Sequence, residues 1–262
     1  LNADIDSLME NPDPTQAPEL WVNERLALFP QYHDWILTRL FWLGRNSSNM
    51  LGLFDQLGHV LNSDKTTYTP QLVSPLRGYY LDHIVSLAQF DFSQKKSWVV
   101  LLDYETGDRH GEKKLLDSLC IGIESDNVGC MAVLAGWGKA SVDAVEVLAS
   151  NNKKISLIIS LQNFVVGAGE GREQVNQYLS DLNVPVLKGI RLSDTTEDEW
   201  LLSEEGLGWN SVHYLVAMPE LQGISQAMVV AAMSKSTMDT FTGAEMTLTL
   251  PIDKQVALMT QR

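Results

Sequence analysis

The chain has 262 residues, 45% of them hydrophobic and 20% charged, and its 33 acidic against 19 basic residues give a formal net charge of −14. This composition is typical of a globular protein with a substantial core and excludes a disordered or low-complexity chain. The acidity disfavours binding to nucleic acid or to an anionic membrane surface, because both require clustered cations.

The cysteines bear on the compartment in which the protein is found, and the chain ends bear on whether it is a segment of a longer protein. Cys120 and Cys130 match no zinc or redox spacing and no disulfide framework, so we expect unpaired, buried thiols in a reduced, cytoplasmic protein. No stretch reaches the ~20 apolar residues of a membrane-spanning helix, and we expect no signal peptide, because the first residues lack its basic start and apolar middle. Because the chain starts at Leu1 and ends at Arg262 within a helical pattern, we expect an excised segment of a longer protein.

The first part, residues 1–92, is predicted to be mainly helical. Apolar residues recur at helical spacing over residues 20–43, with a kink expected at Pro30. Residues 62–78 are rich in Ser, Thr and Pro and predict a loop. A short helix is expected over 80–90.

From residue 93 to 262 the pattern changes to alternating strands and helices. Strands are predicted at 97–102, 128–134, 155–161, 185–190, 212–218 and 228–232, with helices near 111–123, 140–150 and 171–182. Thr196 and Glu199 form a capping box that starts a further helix. Continuous apolar strands alternating with helices indicate an α/β fold: a helical N-terminal part followed by a mostly parallel, doubly wound (flavodoxin-like) sheet.

In such a sheet, ligands bind beyond the carboxyl ends of the strands. The loops that follow the predicted strands are therefore the places to search for function. They span residues 103–112, 135–140, 162–171, 191–196 and 219–226.

The first of these loops concentrates carboxylates around His110, one of five histidines. Carboxylate oxygen and imidazole nitrogen together suit a divalent ion such as Co²⁺, Ni²⁺ or Zn²⁺ better than Mg²⁺. The alternative is a solvated acidic turn, with Asp108 near the N-terminus of the next helix, where negative charge is favourable. Spacing alone favours this alternative.

Two glycine-containing segments resemble nucleotide-binding turns but lack essential features. Residues 167–171 read G-A-G-E-G, and Glu170 lies where it would repel a pyrophosphate. Residues 138–141 read G-K-A-S, without the glycine spacing of a P-loop. We therefore expect neither dinucleotide binding nor ATP hydrolysis in this chain.

The segment 218–223 reads M-P-E-L-Q-G and is expected to follow the strand 212–218. Pro219 would end that strand and hold Glu220 at the carboxyl edge of the sheet, beside the amide of Gln222. A carboxylate placed there could accept a proton or pass on a metal ion. The alternative is a surface glutamate in a turn.

Taken in order, these motifs are similar to those of the large subunit of magnesium chelatase and aerobic cobaltochelatase. The chain has S-L-Q-N-F at 160–164 where the family has S-L-T-G-F, T-T-E-D-E-W at 195–200 where the family has T-T-E-E-W, and V-A-M-P-E-L-Q-G at 216–223 where the family has V-A-L-P-E-L-D-G. Further similar segments lie at 41–44, 78–83, 106–110, 184–186 and 206–208. The chain departs from the family pattern at Gln222, at Ala168, and after His83, which no proline follows.

The resemblance implies part of an enzyme that inserts Co²⁺ or Mg²⁺ into a tetrapyrrole, in biosynthesis of the cobalamin or chlorophyll type. It implies a ligase forming nitrogen–metal bonds, with ATP hydrolysed by separate AAA+ ATPase-type subunits. The site residues carried over are Glu220 for catalysis, Asp108 and His110 for the metal, and Asn163, Phe164, Gly167 and Gln222 for the substrate.

Two other interpretations stay open from the sequence. The segment could be a non-enzymatic α/β module that binds a small ligand or docks a subunit, without metal or ATP coupling. It could also be a structural insert of a chelatase whose catalytic carboxylates lie elsewhere. Substitution of Glu220 would then leave activity intact.

Overall fold

A computed structural model describes most of the chain. The described residues are 2–9, 18–44, 47–62, 76–81, 83–104, 110–135, 139–167, 171–238, 240 and 243–261. The chain divides into two compact units, Leu1–Pro75 and Leu76–Arg262.

The first unit is helical, as the sequence predicts. Its helices are α1 Asn2–Met9, α2 Pro18–Leu28, α3 His33–Gly44 and α4 Ser47–Asn62, with a 3₁₀ turn Pro30–Tyr32 between α2 and α3. This turn confirms the predicted interruption at Pro30, whose ring cannot continue a helix from the preceding turn. Trp21, Ile36 and Leu40 form a buried cluster between α2 and α3.

The second unit is built on a mostly parallel sheet. Its elements are β1 Arg77–Tyr80, β2 His83–Ser86, 3₁₀ turns Leu87–Gln89 and Phe92–Gln94, β3 Ser97–Tyr104, α5 His110–Ile123, β4 Val128–Ala135, α6 Lys139–Ser150, β5 Ile155–Ser160, α7 Arg172–Leu182, β6 Val186–Thr196, α8 Glu197–Leu202, α9 Trp209–Val212, a π-helical turn His213–Ala217, α10 Met218–Glu220, β7 Ser225–Met233, β8 Thr237–Met238, β9 Glu245–Met246, β10 Thr249–Pro251 and α11 Asp253–Thr260. The strand order is β10-β7-β6-β5-β3-β4-β1-β2. Strands β3 to β7 are parallel to their neighbours among themselves, whereas β1, β2 and β10 are antiparallel. The predicted fold class is confirmed.

Helices cover both faces of the sheet, because strand residues point alternately to opposite sides. On β3, Trp98, Val100 and Leu102 belong to the core beneath α6 and α7. Val99 and Leu101 belong to the core beneath α5 and α11. Each fully buried apolar side chain contributes roughly 2 kcal/mol to folding, so continuous apolar strands are required here.

The short helix expected over 80–90 is wrong. These residues form β2 and the end of β1, followed by the 3₁₀ turn Leu87–Gln89. Tyr80 packs edge-on against Phe90 and Trp98, which fixes β1 against the sheet. The two compact units divide between residues 75 and 76, whereas the sequence pattern changes at 92/93.

The strand expected at 212–218 is also wrong. Its residues lie in the helical run of α9, the π-helical turn and α10. Leu215 and Val216 pack against the cluster of Ile190, Leu192 and Val229. A short apolar run fits a buried strand or a buried helical turn equally well, and here tertiary packing selects the helical turn. By contrast, the capping box of Thr196 and Glu199 is present at the start of α8.

The two cysteines are paired, contrary to the sequence expectation. Cys120 near the end of α5 and Cys130 on β4 form a disulfide, with their Cα atoms 5.1 Å apart. The tight connection between α5 and β4 brings them together, which their spacing alone did not reveal. Across the described part of the chain, no helix is long and apolar enough to cross a membrane.

Candidate functional site

Buried polar residues converge where the central parallel strands end. Asp103 is the penultimate residue of β3, Gln162 follows β5, and Lys188 and Arg191 lie on β6. Measured over the whole residue, Asp103, Gln162 and Lys188 are each at most 2% exposed. Burying such groups is costly unless each has hydrogen-bonding partners, so their mutual contacts define this site.

Arg191 and Asp103 form an ion pair across the sheet. Nη1 of Arg191 donates to Oδ1 of Asp103 at 2.6 Å, and Nη2 donates to Oδ2. Because β5 lies between β3 and β6, the pair bridges the intervening strand at its end. A two-pronged guanidinium–carboxylate contact of this kind compensates both buried charges.

Lys188 hydrogen-bonds to the backbone at the end of β5. Its Nζ donates to the carbonyl oxygens of Gln162 at 2.6 Å and Gly189 at 2.9 Å, and it lies 3.4 Å from that of Ser160. The pKa of the Lys188 ammonium is lowered to about 7, mainly by burial and also by the charge of Arg191, while the charge of Asp103 opposes the shift. The ammonium therefore fixes the backbone that leads into Asn163.

Gln162 joins the ends of β3 and β5 to α6. Its Nε2 lies 3.4 Å from the carbonyl oxygen of Asp103 and 3.4 Å from Oγ of Ser141, in the first turn of α6. Three elements therefore meet at this amide, and the strand-end loop is held on both sides.

A pocket of about 190 Å³ opens beside Arg191. We name it the Arg191 pocket, and it is lined by Asn163, Phe164, Arg191, Ser193, Asn210, Ser211, Tyr214 and Leu215. Phe164 and Tyr214 meet edge-on with ring centroids 5.2 Å apart. The structure thus brings Asn163 and Phe164, two of the predicted substrate residues, together with a cation that the sequence analysis did not single out.

Gln222 binds the backbone of the loop after β5. Its Oε1 accepts from the Val166 N–H at 2.8 Å, and its Nε2 donates to the Val166 carbonyl at 2.8 Å. The contact is possible because Leu187 of β6 pairs with both Ile159 and Ser225. The start of β7 therefore lies level with the end of β5.

Gly167 follows in the left-handed region at φ +69°, and a Cβ there would lie 2.5 Å from Cγ2 of Val175. Only glycine avoids both the backbone strain and this clash. In the structure, Gly167 and Gln222 both shape the loop that carries Asn163 and Phe164. Contact of either with substrate stays a prediction.

Glu220 lies at the end of α10, with its side chain exposed. The turn that holds it is tight, because the amides of Gln222 and Ile224 both donate to the carbonyl of Pro219, at 2.8 and 3.0 Å. The predicted rigid turn is present, but it follows a helical run and leads into β7, so Glu220 lies before a strand and not after the carboxyl end of one. Its catalytic role stays a prediction.

The predicted metal residues are Asp108 and His110. Asp108 is outside the described residues, and His110 begins α5 without a described side chain. Within the described ranges, no three His, Cys, Asp or Glu side chains converge as a metal site. The structure therefore leaves both as predictions.

Sequence reasoning passed over the central cations of this site. Lys188 interrupts the apolar run 186–190, and a lysine inside a strand buried on both faces signals a charged group with dedicated partners. Asp103 and Arg191 were noted only as the first residues of strand-end loops. Their pairing depends on the strand order, which a single sequence does not reveal.

Comparison with known proteins gives one family and one fold. The family described as CobN/Magnesium Chelatase matches residues 39–262. No curated protein matches the sequence. Among solved structures, the fold is similar to the catalytic subunit of cobaltochelatase from Mycobacterium tuberculosis, with a TM-score of 0.59 and 14% sequence identity over 92% of this chain. The match spans 22% of that subunit.

Proposed function

The chain belongs to the CobN/magnesium chelatase family, and we propose that it forms part of the tetrapyrrole-binding large subunit of an ATP-dependent metal chelatase. The family match over residues 39–262 carries this proposal. It includes all of the strand-end site, by which we mean Asp103, Gln162, Lys188 and the Arg191 pocket. The site itself supports the proposal with a pocket at the carboxyl edge of a parallel sheet, where α/β proteins bind ligands.

The proposed reaction replaces the two pyrrole N–H protons of a tetrapyrrole with a divalent cation. Co²⁺ or Mg²⁺ is the metal substrate, and AAA+ ATPase-type partner subunits hydrolyse the ATP. The product belongs to the cobalamin or chlorophyll type of biosynthesis, and the enzyme acts in the cytoplasm. Because the segment matches 22% of the solved subunit, we assign the reaction to the assembled chelatase rather than to this segment alone.

Metal insertion needs a base and a way to remove water from the metal. We assign the base to Glu220, which is exposed beside the tight turn at Pro219. A macrocycle laid over this carboxylate would exclude water and make it a stronger base. It would accept one pyrrole proton, and the second would pass to water.

The remaining predicted residues divide between metal and tetrapyrrole. Asp108 and His110 would hold the ion before transfer, since carboxylate and imidazole suit Co²⁺. Asn163 and Phe164 would contact the tetrapyrrole from the Arg191 pocket. Gly167 and Gln222 would act through the loop that they shape at Val166.

The test is metal insertion by the complete chelatase, reconstituted with its ATPase subunits and a large subunit that carries Glu220→Gln. Loss of a general base lowers rates by roughly 100-fold or more, so we expect a fall of that size with saturating metal and tetrapyrrole. Glu146→Gln, an equal change on the exposed face of α6, is the matched control and should retain the full rate. A Glu220→Gln enzyme as fast as the control would remove Glu220 from the chemistry.

A further inference from the structure

We propose that the Arg191 pocket binds a carboxylate group, and that in the chelatase it holds one acetate or propionate arm of the tetrapyrrole. The tetrapyrrole assignment rests on the proposed function. The carboxylate chemistry rests on the pocket alone.

The pocket is lined by hydrogen-bond donors. The lining residues whose side chains carry such donors are Asn163, Asn210, Ser193, Ser211, Tyr214 and Arg191, whose terminal nitrogens also donate to Asp103. Among its described lining residues none is acidic, although the chain has 33 acidic against 19 basic residues. A donor-rich pocket without carboxylates in an acidic protein is suited to an anion.

Two elements aim these donors at one space. Arg191 and Ser193 both line the pocket from β6. Asn210 and Tyr214 are four residues apart in the helical run that starts at Trp209, so they share one face of that run. The pocket lies where β6 and this run meet.

The buried charges favour one added negative charge. Arg191 and Asp103 compensate each other, and Lys188 behind them adds a positive charge whenever it is protonated. A carboxylate in the pocket would compensate the ammonium of Lys188 and favour its protonated form.

The pocket is large enough for one carboxylate arm of a tetrapyrrole but too small to enclose the macrocycle. At about 190 Å³, it is smaller than the roughly 300–1,000 Å³ of sites that enclose a drug-sized ligand. Apolar surface for the ring is available at its rim, because Tyr214 is 47% exposed and Trp209, adjacent to Asn210, is 85% exposed. A ligand with an apolar ring and carboxylate arms matches this arrangement.

The test compares ligands that differ only in charge. The full 262-residue chain is titrated with deuteroporphyrin, which carries two propionates, and with its dimethyl ester, both in the same mild detergent and followed by tryptophan fluorescence. Asn210→Asp places a carboxylate at the exposed wall of the pocket without disturbing buried groups. Asn176→Asp, the same change on the exposed face of α7, is the matched control.

We expect the diacid to bind at least tenfold more tightly than the ester to the wild-type chain and to Asn176→Asp. Asn210→Asp should lose this preference while its affinity for the ester stays unchanged. Equal affinities for diacid and ester in all three chains would overturn the carboxylate site and leave tetrapyrrole binding, and with it the proposed function, intact.

Glutarate distinguishes a tetrapyrrole arm from a free carboxylate. If neither porphyrin binds, the proposed role of this segment in tetrapyrrole binding fails. Titration with glutarate alone then tests whether the pocket binds a carboxylate. Glutarate binding that Asn210→Asp weakens would keep the carboxylate site for a small free acid. Absence of glutarate binding as well would overturn the site.

Discussion

Both terminal nitrogens of the Arg191 guanidinium on β6 donate hydrogen bonds to the carboxylate of Asp103 on β3, 88 positions earlier in the sequence. The strand between them, β5, ends beneath this pair, and Nη1 of Arg191 also lies 3.5 Å from the carbonyl oxygen of Leu161. The pair therefore connects the floor of the Arg191 pocket to the centre of the sheet. Changes to it should affect stability and ligand binding together.

Asp103→Asn should destabilise the chain strongly. The side chains of Asp103 and Arg191 are 3% and 10% exposed, and breaking a buried ion pair from one side costs roughly 3–5 kcal/mol because the other charge stays buried. The free energy of unfolding, measured by urea denaturation of the variant and the wild-type chain, gives this loss. Asp126→Asn, on an exposed residue of the α5–β4 connection, should change the free energy of unfolding by less than about 0.5 kcal/mol. Equal stabilities of the two variants would contradict the importance of the pair.

Lys188 should make stability depend on pH. Its folded-state pKa of about 7 lies below the ordinary value of 10.5, so between these values the unfolded chain holds a proton that the folded chain lacks. Stability therefore rises with pH through this window, and the energetic cost of burying the ammonium is fully present only below pH 7.

Lys188→Met removes this titration. Between about pH 7.5 and pH 9, the free energy of unfolding of the wild-type chain should rise by about 2 kcal/mol relative to that of Lys188→Met. Guanidinium unfolding at a series of pH values measures the difference. Parallel pH profiles for the two chains would show that Lys188 keeps an ordinary pKa when folded.

Gln222→Ala should loosen the loop after β5. The substitution leaves the N–H and carbonyl of Val166 without the side chain that now binds both, and unpaired buried groups cost about 1–3 kcal/mol. Hydrogen exchange at the Val166 amide should quicken, while Gln94→Ala, on an exposed residue, leaves it unchanged. Unaltered exchange in Gln222→Ala would contradict this role.

The disulfide should stabilise the chain. Cys120 and Cys130 are 10 residues apart in sequence, and closing a loop of this length contributes roughly 2–3 kcal/mol by restricting the unfolded chain. The double change Cys120→Ser with Cys130→Ser should lower the free energy of unfolding by that amount, and reduced wild-type protein should match it. Free thiols in a non-reducing peptide analysis of the wild-type chain would contradict the pairing.

The sequence predicts those parts of the fold that depend on burial or on local hydrogen bonds. The apolar runs at 97–102 and 155–161 predict β3 and β5, because a strand covered on both faces can hold few polar side chains. The capping box of Thr196 and Glu199 is equally local. Asn163 and Phe164 were predicted from the family resemblance at 160–164, in a loop that directly follows such a strand.

The parts that the sequence does not predict depend on long-range packing. The run 212–218 is apolar enough for a strand, and only its packing against Ile190 and Val229 makes it helical. The contacts of Gln222 with Val166 and of Arg191 with Asp103 both require the strand order and the stagger of β7 against β5. No local pattern specifies these relationships.

The most direct test of the account is whether this segment binds a tetrapyrrole at the strand-end site. The 262-residue chain is titrated with hydrogenobyrinate diamide and, in parallel, with deuteroporphyrin, with and without Co²⁺ or Mg²⁺, and tryptophan quenching is recorded. We predict saturable quenching at micromolar ligand that weakens in Glu220→Ala, and the ligand with the tighter curve indicates the pathway. Absence of quenching by either tetrapyrrole would contradict the account and leave this segment a scaffold or docking surface of the chelatase.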